Sequence, residues 1–222
     1  MPAIFSIEYF IQLLCAFAAV LLLREFFAFR RVLPAKYLLT PLVTFCVILF
    51  ALLAIHSSGM TRYSTFILMG LVLSLVADTL LMIEEISFFK HGLIFFLAAH
   101  CFYLGAFTIG YSFSPWHIAA ILVLCAGILL FYRKIHRKTG THHVSVLVYM
   151  FVLAAMLFFA ISHVGDSGST RPVLLPAGAA LFVVSDVVLA INIFIKKIPH
   201  STVLTWSLYA PAQLFFALSC FY

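Results

Sequence analysis

Ala180–Phe194 reads ALFVVSDVVLAINIF. Thirteen of these fifteen residues are apolar or small, and no other charged residue stands within nine positions of Asp186. What an isolated acid means depends on its solvent, and composition decides the solvent. Of 222 residues, 65% are hydrophobic and 9% charged, with a mean hydropathy of +1.20. A soluble domain carries about 25% charged residues. A water-soluble fold of this size exposes too much surface to hide so much apolar material. The chain therefore reads as an all-α membrane protein, and its 25 Phe suit lipid-facing surface. Nucleic acid is not an expected partner despite the net charge of +6.

A membrane-spanning helix needs about 20 mostly apolar residues. Eight such stretches run over about 5–26, 37–56, 64–83, 88–111, 115–132, 144–164, 173–195 and 201–221. The Met1–Leu23 stretch carries Glu8 and Gln12, lacks a basic start, and is followed by Arg24 instead of a small-residue cleavage site. It reads as a retained span, not a leader. No connection is long enough to separate a second domain from the first, so residues 1–222 form a single integral-membrane domain. The five cysteines lie in apolar segments without CxxC spacing and suggest neither a disulfide framework nor a zinc knuckle.

Eleven Lys and Arg follow spans 1, 3, 5 and 7, whereas only Arg62 and Arg171 follow the even-numbered spans. The positive-inside rule then puts both termini on the non-cytoplasmic side.

Seven acidic residues occur in the chain, and only Asp78 and Asp186 stand deep within spans. Their settings match: GLVLSLVADTLLMI (Gly70–Ile83) and GAALFVVSDVVLAI (Gly178–Ile191). Each has a Gly eight residues before the Asp and a Val two before it. The match suggests two parallel four-helix repeats, or chance likeness between apolar segments. Either way, spans 3 and 7 run in the same direction. At about 1.5 Å per residue, both acids fall at similar depth in the cytoplasmic half of the bilayer. An acid at membrane depth costs at least about 2.5 kcal/mol on insertion scales, so a functional role is the first hypothesis; structural hydrogen bonding between helices is the plainer one.

Other polar side chains share that depth: Lys36, Thr40 and Thr44 on span 2, His100 and Tyr103 on span 4, Tyr149 on span 6, and Trp206, Tyr209 and Gln213 on span 8. Each alone has a structural explanation. Together they predict a polar cavity lined by spans 2, 3, 4, 7 and 8. His100 is the one histidine well inside a span, and no HxxxH or HExxH occurs. Two Asp and one His make a poor zinc set, so neither a metal nor another cofactor is expected.

Five segments carry a resemblance: GLVLSLVADTLLM, FFKHGLIFFLAAHCFYLGAF, VLVYMFVLAAMLFFA, GAALFVVSDVVLAINIF and SLYAPAQLFFALS. In their order and spacing the chain resembles the YhhN-like, or lysoplasmalogenase, family from about Lys36 to its C-terminus. Ser185–Asp186 with its flanks is the most specific piece, supported by His100–x–x–Tyr103 and Ala212–Gln213. One departure stands out: the family's first motif reads Gly-Asp, and here Ala77 precedes Asp78.

The resemblance implies eight spans and an ether hydrolase acting on lysoplasmalogen, a lysophospholipid within the bilayer. The products would be a fatty aldehyde and glycerophosphocholine or glycerophosphoethanolamine. Asp78 and Asp186 would be catalytic. Lys36 would meet the phosphate, and His100, Tyr103, Tyr209 and Gln213 would position water or the glycerol hydroxyl. The chain would be an integral multi-pass protein of the inner (cell) membrane in a bacterium, or of the endoplasmic reticulum in a eukaryote. The residue types suit the reaction. Vinyl ether hydrolysis starts with protonation of carbon and passes through an oxocarbenium ion, a problem glycosidases solve with two carboxyls. A transporter and a non-catalytic lipid-binding protein are the alternatives that buried acids also allow.

Overall fold

The computed structural model describes residues 7–83, 88–140, 143–164 and 171–222; Glu84, Glu85, His142 and Asp166 lie outside them. Among these described residues eight α-helices follow in order: α1 (Ile7–Phe29), α2 (Leu33–Ser58), α3 (Arg62–Met82), α4 (Phe89–Phe107), α5 (Trp116–Ile135), α6 (His143–Ser162), α7 (Arg171–Ala190) and α8 (Ser201–Leu218). All eight are long and apolar enough to cross a membrane, and the chain is an integral multi-pass membrane protein.

Local chemistry sets the helix ends. Pro34 sits in the first turn of α2, where its missing N–H costs nothing. The helix therefore begins at Leu33, ahead of the expected start at residue 37, and Lys36 is drawn into it. Gly59 ends α2 at a φ of +84°. Thr61 and Ser64 then form a reciprocal capping box that starts α3. The seventh span finishes in a π-helical turn, Ile191–Ile195. There Asn192 Oδ1 accepts the Ile198 N–H at 2.9 Å.

The helices pair twice in the same way. α3 runs along α4, and α7 along α8. The second helix of each half packs on the third of its own half and the fourth of the other: α2 on α3 and α8, α6 on α7 and α4. This is the pairing that two parallel four-helix repeats would give. Glycines permit the closest approaches. A Cβ on Gly70 would lie 2.6 Å from Tyr103 Cδ1, and one on Gly178 would lie 2.8 Å from Phe216 Cε1. The same sequence position on the two acid-bearing helices thus receives an aromatic ring from the following helix.

α5 is peripheral. It packs on α6 and touches the π-helical turn, and most of its surface, Leu122 and Leu130 included, is exposed to the surroundings. Between α5 and the body of the bundle lies an apolar cavity of about 390 Å³, lined among others by Leu93, Val123, Gly127, Leu153 and Val187. Val123 lines it while remaining 70% exposed, so the cavity opens toward lipid along α5.

Candidate active site

A second cavity, of about 140 Å³, is polar. It lies at the end of the bundle where α1, α3 and α7 finish and α2 and α8 begin. Asp78 and Asp186 both line it, with Arg24, Lys36, Thr40, Asn192, Ser201, Thr205, Trp206 and Tyr209. Four residues, Leu81, Phe96, Asp186 and Leu189, line both cavities. Asp186 therefore stands at the join between a polar chamber and an apolar one, while Asp78 faces the polar chamber alone.

The two acids are held differently. Thr44 Oγ1 donates to Asp78 Oδ2 at 2.6 Å, and the Tyr209 hydroxyl donates to the same oxygen at 2.9 Å. Tyr209 in turn accepts from Gln213 Nε2 at 2.9 Å, and Gln213 Oε1 accepts from the Tyr103 hydroxyl at 2.6 Å. Since the Tyr103 proton is engaged by Gln213, Ser74, 3.3 Å away, is the donor to the Tyr103 oxygen. The result is a one-way chain from Ser74 through Tyr103, Gln213 and Tyr209 that ends on Asp78. Asp186 has a shorter support: the Tyr149 hydroxyl donates to its Oδ2.

His100 is fully buried beside this machinery. Its Nδ1 faces the Phe96 carbonyl at 2.6 Å. A carbonyl only accepts, so Nδ1 carries the hydrogen and Nε2 is the bare nitrogen. Nε2 is buried without a hydrogen-bond partner, and the ring packs edge-on against Phe182 and Tyr149 at 4.7 and 5.2 Å. Among the described residues, no group of three His, Cys, Asp or Glu is arranged to hold a metal ion.

Asp78, Asp186, Lys36 and Tyr209 thus come together around one polar cavity. His100, Tyr103 and Gln213 line neither cavity; Tyr103 and Gln213 act on Asp78 through Tyr209. One residue is missed by the sequence reading. Arg24 counts there with the loop charges after span 1, but it is inside α1, 1% exposed, and faces the polar cavity. Lys36, also counted as a loop charge, is 6% exposed. A signal for Arg24 does exist: a charged pair, Arg24–Glu25, ahead of four further apolar residues. Without these two cations, the charge asymmetry falls to nine against two, and all nine remaining cations on the basic side are exposed.

Several curated proteins resemble this chain. Lysoplasmalogenase TMEM86A of Homo sapiens is 31% identical over 160 residues, 70% of this chain and 65% of that protein. The Bos taurus protein of the same name is 32% identical over 182 residues, 79% of this chain and 73% of that one. Lysoplasmalogenase TMEM86B of Mus musculus is 35% identical over 159 residues, 70% of this chain and 64% of that one. The match thus spans somewhat under two thirds of the human and mouse proteins. No solved structure matches the chain. The model of the YhhN family matches residues 35–220, everything from the start of α2 to the last turn, and the chain belongs to that family.

Proposed function

We propose that this chain is a lysoplasmalogenase, hydrolysing the vinyl ether of a lysophospholipid that it takes from the bilayer. The observation that carries the reading is the junction: two carboxyls share one polar cavity, and one of them also faces an apolar cavity open to lipid. The names of the relatives support it.

The junction also divides the labour between the acids. In a vinyl ether the carbon that accepts the proton lies on the chain side of the oxygen. Asp186, which faces the chain cavity, is the proton donor to that carbon. The oxocarbenium ion then lies in the polar chamber. Asp78 stabilises it and takes a proton from the water that adds to it. In the collapse of the hemiacetal, Asp78 returns that proton to the departing glycerol oxygen. Asp186 takes the hemiacetal hydroxyl proton, and both groups regain their starting states. A pair of carboxyls sharing one proton meets this cycle without a nucleophilic Ser or Cys.

Incubating purified protein with a lysoplasmalogen and assaying fatty aldehyde tests the reading. The aldehyde is expected to carry one solvent deuterium at its α-carbon when formed in heavy water. The ester-linked lysophospholipid, which has no alkene carbon to protonate, is expected to remain intact. Absence of aldehyde from active-site-intact, folded protein would refute the reading.

The chain cavity offers a second test. On α5, Val123, Leu124, Gly127, Ile128 and Phe131 form one helical stripe along its wall. A Cβ on Gly127 meets nothing within 4 Å, so a side chain added there starts in open space on the cavity wall. Displacing two methylenes costs about 1.6 kcal/mol at about 0.8 each, somewhat more than tenfold. Gly127→Phe should therefore lower kcat/KM for long-chain substrates about tenfold and spare short-chain ones. An equal loss at every chain length would place the alkenyl chain elsewhere.

The nine exposed cations support an orientation with the polar cavity nearest the cytoplasm. Single cysteines replacing Lys134 and Lys196 should react with impermeant reagents only from the cytoplasmic side. Labelling of either from outside intact cells would reverse the topology.

A further inference from the structure

The first helix supplies a residue that the match to the family does not cover. Arg24 precedes the matched residues 35–220, yet it is among the largest fully buried side chains of the protein. Burying a guanidinium is costly unless its donors are met, and the contacts of Arg24 are organised around the polar cavity. Nη1 donates to Glu25 Oε1 at 2.9 Å and to the Thr202 carbonyl at 3.3 Å. Nε stands 3.5 Å from Thr40 Oγ1. The guanidinium carbon lies 4.4 Å from the centre of the Trp206 ring, a stacking distance. Thr40, Thr202 and Trp206 all line the cavity with Arg24, whereas Glu25 does not. The ion-pair partner thus holds the guanidinium without standing between it and the cavity.

Charge is also sorted between the cavities. Arg24 and Lys36 line only the polar chamber, as do Ser201 and Thr202 in the first turn of α8. The N-terminal end of an eighteen-residue helix adds positive potential to the two cations. Asp186 lines both chambers, and Asp78 lines the polar one with the two cations. An apolar cavity, a join at Asp186 and a polar cavity that holds Asp78 together with both cations therefore adjoin one another. A lysophospholipid presents matching parts: hydrocarbon chain, vinyl ether, and glycerol with phosphate.

We infer that Arg24, with Lys36 beside it, is the phosphate-binding residue of the headgroup subsite, so that the enzyme selects phosphate-bearing alkenyl lipids over neutral alkenylglycerols. The inference rests on the proposed reading of this same site. Arg24 is a specificity residue, since it touches the phosphate and not the reacting carbons. Nη1 and Nε are engaged by Glu25, Thr202 and Thr40, so the phosphate contact falls to Nη2, a charge-assisted donor.

The test uses binding, which needs no turnover. The full-length protein is titrated with a saturated 1-O-alkyl lysophospholipid, with the matching 1-O-alkylglycerol, and with the lysophospholipid in competition with inorganic phosphate. Wild type should bind the phosphate-bearing lipid at least about tenfold more tightly than the alkylglycerol, the low end for a charge-assisted hydrogen bond. Arg24→Gln should erase most of that gap while leaving alkylglycerol affinity unchanged, which also reports that the protein is folded. Arg24→Lys keeps the charge beside Glu25 and should leave an intermediate gap. An undiminished gap in both variants, or an equal loss of both lipids in folded protein, would overturn the assignment. Competition by inorganic phosphate at concentrations near those of the lipid would assign the site to free phosphate instead. A protein that shows the Arg24-dependent gap but releases no aldehyde keeps the anion subsite and loses the catalytic reading. One that releases aldehyde equally from both lipid classes does the reverse.

Discussion

Asp78→Asn and Asp186→Asn are each expected to lower the rate of vinyl ether hydrolysis at least about 100-fold, the low end for general acid–base catalysis. Asn keeps the shape of Asp and one acceptor oxygen. At position 78 that oxygen still receives Thr44 and Tyr209, and at position 186 it still receives Tyr149. The amide carries no transferable proton and no negative charge, so chemistry is lost while packing stays. Steady-state aldehyde release, with the melting midpoint of each variant as the folding control, measures the effect. Full activity in either well-folded variant would remove that carboxyl from the mechanism. Truncation to Ala makes a poorer test, because it leaves the Tyr209 or Tyr149 hydroxyl without its acceptor.

Gly70→Ala is expected to damage the protein far from any reacting atom. The added methyl would press on Tyr103 Cε1 and sit 2.6 Å from Cδ1. The ring has nowhere to retreat: it is fully buried, 4.9 Å from Phe216 and stacked on Phe107 at 6.3 Å. Overpacking of this kind costs about 1–3 kcal/mol, which lowers the midpoint of thermal unfolding by roughly 2–12 °C in a chain of this size. Displacing Tyr103 also breaks the chain through Gln213 and Tyr209 to Asp78, so activity should fall with stability. Gly127→Ala is the matched control for stability alone. Nothing lies within 4 Å of its Cβ, and replacing a helix-interior Gly gains about 0.5–1 kcal/mol. If Gly70→Ala melts with wild type, the close approach of α3 and α4 is softer than described.

The site is legible in sequence where depth alone carries the information. Asp78 and Asp186 stand out because a carboxyl in an apolar run has no cheap explanation, and helical rise places both at one level. Tyr103 and Gln213 stand out as polar residues at the same depth. Depth, however, does not say which wall a side chain faces. Both residues stand behind Tyr209 and not in the cavity. Arg24 reads as a loop charge because it lies where helix and loop meet in sequence, and Lys36 at the mouth of span 2 reads both as a topology charge and as a phosphate contact. Pro34 lengthens α2 at that point, and the cavity draws both cations inward.

Hydropathy and helical rise act along the chain and need no partner. They are enough to establish the solvent, the number of spans, the parallel course of α3 and α7, and the level of the two acids. Three further features appear only once the helices are assembled. A polar and an apolar cavity meet at Asp186, hydroxyls from α2 and α8 converge on Asp78, and α1 contributes an arginine to the same chamber. Those features depend on the rotation of each helix about its axis and on which helices are neighbours. In lipid, hydropathy barely distinguishes one apolar face from another. Rotation and neighbours are set instead by close packing at Gly70 and Gly178 and by the hydrogen bonds that each buried polar side chain must find across a helix boundary.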